Sequence, residues 1–334
     1  MRLEMSRWPR RIVLFLAFAL FVGLGCSTVY RANYSSVHRT DFTVYTAAGK
    51  AVLDGTNIYE ARNIRGWYYM YLPIFAIAMV PFAVMNTFSA ILLWYLLSAA
   101  MFAHGIELSA RLARRAFPGM CIDDFWLRVL TALAVLPPAL SGMARGQASV
   151  LIMYLGTLGV WFYFEKRPWA ASLALAGGIV LKVFPALLAL YFLVCRQFKY
   201  AAATVVWLIL LLLVIPSAVF GPAANLALLR QWTTTIALPA NRGIETAGSR
   251  ARFEQMIDPR NNRNQSVQAV AIRTESGRII EAHDKSNDIA RPLSAVINLL
   301  LFLMATWVCF RNRTNDSAHH SLLKICVVIL LMLM

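Results

Sequence analysis

Long apolar runs separated by short polar segments dominate the sequence. Eight runs are suitable for helices, at about residues 12–30, 70–86, 88–109, 127–145, 147–164, 169–195, 201–220 and 291–310. A helix that crosses a bilayer needs about 20 apolar residues. A ninth run begins at Leu322 and has only thirteen residues, counting Met334, so we expect a truncated form of a longer protein. The pattern predicts an all-α polytopic integral membrane protein, a single membrane domain over residues 1–334 with about eight to nine transmembrane helices.

Two polar segments interrupt this pattern, residues 31–67 and 221–291. The first apolar run follows a basic N-terminal segment, residues 1–11, which is typical of a signal anchor with a cytoplasmic N-terminus. A cleaved signal is the alternative, because residues 23–26 are faintly similar to a lipoprotein cleavage site. With a cytoplasmic N-terminus and seven crossings before Gly221, both polar segments are predicted to be exoplasmic loops, the first with a juxtamembrane helix.

Strict alternation of crossings conflicts with the positions of two basic tracts. It would place RLARR at 111–115 and EKR at 165–167 outside, against the tendency of basic residues to stay in the cytoplasm. We therefore expect some segments, notably 70–86 and the halves of 169–195, to be re-entrant or broken helices.

Composition and charge support a membrane protein and exclude several other classes. Of 334 residues, 59% are hydrophobic and 14% charged, and the mean hydropathy is +0.60. The net charge of +16 comes from basic tracts beside apolar runs, which indicates topological marking and contact with anionic lipid headgroups rather than nucleic-acid binding. The five scattered cysteines predict neither a disulfide framework nor a metal site. There is no P-loop or G-x-G-x-x-G motif, so we predict no cofactor and no metal.

Lys182 lies deep inside the apolar run 169–195, in the sequence GGIVLKVFP. A lysine at the bilayer centre costs roughly 3 kcal/mol on insertion scales, so something must offset that cost. Snorkelling of the side chain to the membrane surface is the structural explanation. It would require a strained, extended side chain, because Lys182 lies far from both ends of the run. The functional explanation is a cation that lines a polar cavity, since Pro185 follows it and irregular backbone at membrane depth is tolerated around cavities. Arg145, which precedes Gly146, is a second candidate of this kind.

Asp41 opens the stretch DFTVYTAAGKAVLDGTNIY, which has the spacing of an amphipathic helix. An N-cap is the structural explanation for a carboxylate at this position. A capped carboxylate just outside the membrane can also act as a base, so the two interpretations do not exclude each other. Tyr45 lies one turn later on the same face.

An ordered set of motifs resembles glycosyltransferase family 87. The set is D-F-x-V-Y-x-A-A-G-x-A-x-L-x-G-x-x-x-Y at Asp41–Tyr59, Y-L-P at Tyr71–Pro73, R-G-Q at Arg145–Gln147 and L-K-V-F-P at Leu181–Pro185. The similarity covers roughly residues 40–270. This family belongs to the GT-C class of multispanning enzymes, so the resemblance implies a GT-C-type helical bundle with exoplasmic loops.

The resemblance implies a hexosyltransferase that uses a polyprenyl-phosphate sugar, with mannose as the expected hexose. Transfer is expected to invert the anomeric centre, on the exoplasmic face of a bacterial plasma membrane, to a lipid or glycan acceptor. In that class an acidic residue of the first exoplasmic loop is the general base, and Asp41 matches it. The leaving phosphate needs charge stabilisation, for which Lys182 and Arg145 are the natural candidates.

Other polar residues are candidate sugar or acceptor contacts: Tyr45, Gln147, Asn264 and Gln265. Gln147 fits a sugar or phosphate hydrogen bond and a bond between two helices equally well. The aromatic cluster of Trp67, Tyr68, Tyr69 and Tyr71 fits sugar stacking, but an interfacial aromatic belt explains it with fewer assumptions.

Two other functional classes remain open from the sequence. A transporter or flippase of lipid-linked saccharides would use the same intramembrane cations without needing Asp41 as a base. A structural membrane subunit would not need the charges within apolar runs.

Overall fold

The computed structural model describes residues 7–34, 40–64 and 66–237, together with a few single positions beyond residue 295. Within these residues the chain is helical, and its β-structure is one isolated bridge between Arg62 and Tyr68. The α-helices are α1 (Arg7–Asn33), α2 (Phe42–Leu53), α3 (Pro73–Ala78), α4 (Val80–Ala83), α5 (Thr87–Ala116), α6 (Asp124–Ala144), α7 (Ser149–Phe164), α8 (Pro168–Leu181), α9 (Ala186–Val194), α10 (Phe198–Ile209), α11 (Ile215–Phe220) and α12 (Pro222–Trp232). Two π-helical segments, Leu210–Val214 and Thr233–Ala237, adjoin α10 and α12.

Four of the described helical stretches are long and apolar enough to cross a membrane: Trp8–Asn33, Thr87–Ala116, Asp124–Ala144 and Phe198–Phe220. The apolar helices α7 and α8 are shorter, at 16 and 14 residues. The structure supports an all-α membrane protein, but it does not confirm eight or nine crossings. The predicted helix at 291–310 and most of the loop at 221–291 lie outside the described residues.

The chain divides into two compact units. One comprises Met1–Ala186 and Lys199–Leu226, and it contains the long helices and the candidate site. The other comprises Leu187–Phe198 and Ala227–Met334, of which α9 and the end of α12 are described.

The first unit is a bundle in which α5 packs against α1, α6 and α7, and α7 packs against α8. Tyr95 and Phe102 of α5 meet Met143 of α6 and Val150 of α7 in its apolar core. Between lipid-facing helices such contacts rest on close packing rather than on release of water, which is why small residues recur along α8.

Ion pairs tie the helices together at one end of the bundle, which we call the basic end. Arg10 of α1 pairs with Asp123 at 3.2 Å, and Arg115 of α5 pairs with Glu165, which follows α7, at 2.6 Å. The C-terminus of α6 and the N-terminus of α7 meet at the opposite end, which we call the site end. Since α6 has 21 residues, the two ends lie roughly 31 Å apart at 1.5 Å per residue.

Two short helices resolve the conflict over the basic tracts. α3 and α4 have six and four residues, too few to cross a bilayer, and both pack against α2. The expectation that 70–86 does not form an ordinary crossing is confirmed. The next helix, α5, therefore leaves the site end and delivers RLARR to the basic end, where Arg10 and EKR also lie.

The expected break in 169–195 is also confirmed. α8 ends at Leu181, Lys182 has extended backbone, and α9 begins only at Ala186. Proline 185 provides the reason, because it cannot donate a backbone hydrogen bond and disfavours helical geometry in the residue before it.

Candidate active site

Asp41 stands immediately before α2 but does not cap it. Its side chain makes no capping hydrogen bond to the helix. The hydroxyl of Thr40 accepts from the backbone N–H of Phe42 instead, at 3.2 Å. Asp41 thus occupies the N-cap position that the sequence predicted, but its side chain does not form the capping hydrogen bond.

The Asp41 carboxylate turns toward the Arg-Gly-Gln turn between α6 and α7. Nε2 of Gln147 donates to Oδ2 of Asp41 at 2.7 Å. A hydrogen bond to an ionised carboxylate is stronger than one between neutral groups, so it fixes the orientation of the carboxylate. Asp41 and Gln147 are both half-buried. Gln147 thus acts first on the carboxylate, and its predicted contact with sugar or acceptor stays a prediction.

The backbone of the same turn clamps the start of α2. The carbonyl of Arg145 accepts from the backbone N–H of Asp41 at 2.8 Å and from the hydroxyl of Thr40 at 3.0 Å. Gly146 adopts φ +61°, and a Cβ there would lie 2.8 Å from both Cβ of Phe42 and Oγ1 of Thr40. Only glycine allows both this positive φ and such a close approach of the backbone to Phe42 and Thr40. Two segments 105 residues apart in sequence are thereby joined at one point.

Two cationic residues, Arg145 and Lys182, lie near this turn. Lys182 is close enough to be attracted by Asp41 and repelled by Arg145. The Arg145 guanidinium donates to the carbonyl of Ser141 at 3.1 Å and to its hydroxyl at 2.7 Å, which holds it at the end of α6. Both cationic side chains are exposed, so an anionic group can reach them. The structure brings together Asp41, Arg145, Gln147 and Lys182, which the sequence singled out separately.

Tyr45 lies beneath the carboxylate. It is 2% exposed, and its hydroxyl is 3.1 Å from that of Tyr71. Burial raises the pKa of Tyr45 well above its usual value, and the neighbouring Tyr71 and Asp41 add to this effect. A phenol that stays protonated cannot accept a proton from a substrate, so Tyr45 is not a candidate for the general base. The burial of Tyr45 favours a supporting role, and its predicted substrate contact stays a prediction.

Two members of the aromatic cluster, Tyr69 and Tyr71, pack inside the protein. Tyr69 is 1% exposed and its hydroxyl donates to the carbonyl of Leu72. The rings of Tyr71 and Phe75 lie 5.1 Å apart, and Tyr45 adjoins both. Tyr69 and Tyr71 therefore form the floor of the site rather than a lipid-facing girdle.

An apolar groove of about 560 Å³ adjoins the aromatic residues of the site. It is lined by Phe75 and Trp94 from the aromatic floor and by Leu155, Gly177 and Leu181 from α7 and α8, among others. Leu181 is the residue before Lys182, so the groove reaches the cationic part of the site. Neither Trp94 nor Thr40 was predicted from the sequence. A tryptophan in an apolar helix carries no functional signal, whereas the threonine before Asp41 was a recognisable cap signal.

Two predicted contacts, Asn264 and Gln265, lie outside the described residues, and their roles stay predictions. Among the described residues, no group of three or more His, Cys, Asp or Glu side chains is placed to hold a metal ion.

Comparison with known proteins identifies relatives of the chain. The model of glycosyltransferase family 87 matches residues 69–334. A Mycobacterium tuberculosis protein named polyprenol-phosphate-mannose-dependent alpha-(1-2)-phosphatidylinositol mannoside mannosyltransferase is 31% identical over 213 residues, which cover 59% of this chain and 49% of that protein. A protein of the same name from Mycolicibacterium smegmatis is 30% identical over 207 residues, with 57% and 45% covered. The chain spans about half the length of these curated relatives, and no solved structure matches it.

Proposed function

Because this chain belongs to glycosyltransferase family 87, we propose that it transfers a hexose, most simply mannose, from a polyprenyl-phosphate donor to a hydroxyl of a lipid or glycan acceptor. The names of the two mycobacterial relatives support this donor, and they make a phosphatidylinositol mannoside the first acceptor to test. Asp41 precedes the matched range, so its role rests on its own geometry.

One observation carries the proposal: a half-buried carboxylate, oriented by Gln147, lies at one end of the bundle within electrostatic range of Lys182, which is itself within range of Arg145. Both cationic side chains are exposed. Glycosyl transfer from a phosphate needs both kinds of group. The acceptor hydroxyl must lose a proton as it attacks, and the departing phosphate must be stabilised as an anion.

The reaction assigned to this site is a single displacement. The acceptor oxygen attacks the anomeric carbon while Asp41 takes the hydroxyl proton. The bond between that carbon and the phosphate oxygen breaks, and its electron pair leaves with the polyprenyl phosphate, which faces Lys182 and Arg145. One displacement inverts the anomeric configuration. The proposal gives the stabilisation of the phosphate to these side chains and uses no cofactor.

The apolar groove suits the lipid part of such a donor. Its lining is hydrophobic and includes Leu181, the residue before Lys182 in the chain. A polyprenyl chain in the groove would set its phosphate at the cations. The chain length that the groove favours becomes a measurable property of the enzyme.

The distribution of basic tracts supports an exoplasmic site. Arg10, RLARR and EKR all lie at the basic end, and such tracts are retained in the cytoplasm. The site end then faces the exoplasmic side of a bacterial plasma membrane.

The test is incorporation of radiolabelled mannose from polyprenyl-phosphate mannose by membranes that carry the wild-type chain or Asp41→Asn. We expect the substitution to lower the rate by about 10²-fold to 10⁴-fold, the range for loss of a general base. Asp54→Asn is the matched control, because Asp54 is exposed at the other end of α2. It should leave the rate within about twofold.

Equal rates for the wild type and Asp41→Asn would remove the assignment of the base. Movement of the lipid-linked sugar across the membrane without any glycosyl transfer would instead establish the transporter or flippase function.

A further inference from the structure

A second cavity, with a charged lining, opens at the basic end of the bundle, far from the candidate active site. Its volume is about 450 Å³, and its lining includes four arginines: Arg111, Arg114, Arg115 and Arg128. Three carboxylates line it as well, so the charged lining has one positive charge in excess. Nothing in the proposed transfer reaction uses these groups, since α6 separates them from Asp41 by roughly 31 Å.

One carboxylate in this cavity holds two guanidinium groups. Glu107 accepts from Nε of Arg111 at 2.6 Å and from Nε of Arg128 at 2.5 Å. Two cations on one anion leave a local excess of positive charge. The arrangement also holds α5 and α6 together, which fixes the cations in place before any ligand arrives.

Two arginines of the cavity use only part of their hydrogen-bond donors in ion pairs. Nε of Arg111 donates to Glu107, and Nη1 of Arg115 donates to Glu165. The side chains are 60% and 47% exposed. Their other guanidinium nitrogens have no partner among the described residues. A guanidinium with free terminal N–H groups matches the oxygens of a phosphate diester, so these two residues can accept an anion without giving up their ion pairs.

The same cavity has an apolar wall. Trp161, Ala110 and Leu127 line it beside the arginines, and tryptophan is enriched where a bilayer meets water. A free anion gains no binding energy from an apolar wall. A phospholipid can contact both surfaces, because its charged headgroup lies directly above its acyl chains. Basic pockets between transmembrane helices bind anionic headgroups for this reason.

We propose that this cavity is a binding site for the phosphodiester headgroup of an anionic phospholipid, with Arg111 and Arg115 as the ligand contacts. The site is separate from the donor and acceptor sites and does not depend on the transferase activity.

Binding is measured on the full chain in a neutral detergent by native mass spectrometry. The probes are dioleoyl phosphatidylglycerol, dioleoyl phosphatidylcholine and inorganic phosphate. We expect phosphatidylglycerol to bind more tightly than phosphatidylcholine, and Arg111→Gln with Arg115→Gln to weaken it about tenfold or more, as for loss of one charge-assisted hydrogen bond. The control is Arg167→Gln, a basic residue at the same end that does not line the cavity. It should change the affinity less than twofold.

Exposed ion pairs contribute little to stability, so the double variant should fold. If it does not, the variant Arg111→Lys with Arg115→Lys is used. It keeps the positive charges but lacks the paired N–H donors of the guanidinium, and it should bind phosphatidylglycerol with intermediate affinity. Equal affinity of the wild type and the glutamine variant for phosphatidylglycerol overturns the proposal. So does equal binding of the two phospholipids by the wild type. Displacement of phosphatidylglycerol by millimolar inorganic phosphate would make this a free-anion site and would also overturn the lipid assignment.

Discussion

Replacement of Gly146 by alanine tests whether the Arg-Gly-Gln turn positions the catalytic carboxylate. Gly146 has φ +61°, a conformation that costs a residue with a Cβ about 1–2 kcal/mol. The new methyl group would also lie 2.8 Å from Cβ of Phe42 and from Oγ1 of Thr40. Forcing a methyl group into a filled site costs about 1–3 kcal/mol. The perturbation therefore amounts to roughly 2–5 kcal/mol.

The strain can either destabilise the folded state or displace the turn, and both effects can be measured. If the turn holds, the folded state is destabilised and the melting temperature falls by several degrees. If the turn moves, Asp41 loses the backbone hydrogen bond to Arg145 and shifts. A displacement of about 1 Å at a catalytic group lowers the rate about 10²-fold. We expect displacement of the turn to dominate, because only two hydrogen bonds to the Arg145 carbonyl hold the turn against the start of α2.

The assay combines mannose transfer from polyprenyl-phosphate mannose with thermal denaturation in detergent. Gly156→Ala is the matched control. Gly156 lies in α7, and a Cβ there would meet nothing within 4 Å, so alanine should be neutral or slightly stabilising in the helix. A Gly146→Ala protein with a wild-type rate and a wild-type melting temperature would refute the positioning argument.

Two further substitutions test the donor side of the site. Lys182→Met should leave the protein inserted but lower the transfer rate about 10²-fold, as for loss of one group that stabilises the developing anion. Lys182→Arg should recover much of this rate, and full activity of the methionine variant would exclude the phosphate role. Ala78→Trp, which narrows the apolar groove, should raise KM for a long-chain polyprenyl donor more than for a short-chain analogue. Ala103→Trp, on exposed surface outside the groove lining, should change neither value, and equal effects on both donor lengths would remove the groove from donor binding.

The helix break at Lys182 could be predicted from the sequence because its causes are local. A charge inside an apolar run and a proline three residues later both act on a single segment. The proximity of Asp41 to Gln147 could not be derived in this way. It depends on a turn 105 residues further along the chain, and glutamine in an apolar context is equally consistent with a bond between helices.

The number of crossings stays a prediction, but hydropathy overestimated the continuity of one apolar run. Residues 70–86 are apolar enough for a helix that crosses the membrane, yet they form α3 and α4, which end after six and four residues. Pro73 and Pro81 each stand at the start of one of these helices, where proline favours initiation but prevents continuation from the preceding turn. Hydropathy alone counts apolar residues and does not register such interruptions.

The same interruption explains how Lys182 and Asp41 come to share one end of the bundle. With α3 and α4 confined to the site end, α5 runs to the basic end, α6 returns, and α7 runs back to Glu165. α8 must then start from the basic end and carry Lys182 toward Asp41. Its 14 residues cover roughly 21 Å, about 10 Å less than α6. The helix therefore stops short of the length needed to cross a bilayer, and attraction to the Asp41 carboxylate offsets part of the cost of placing the exposed Lys182 ammonium at this depth.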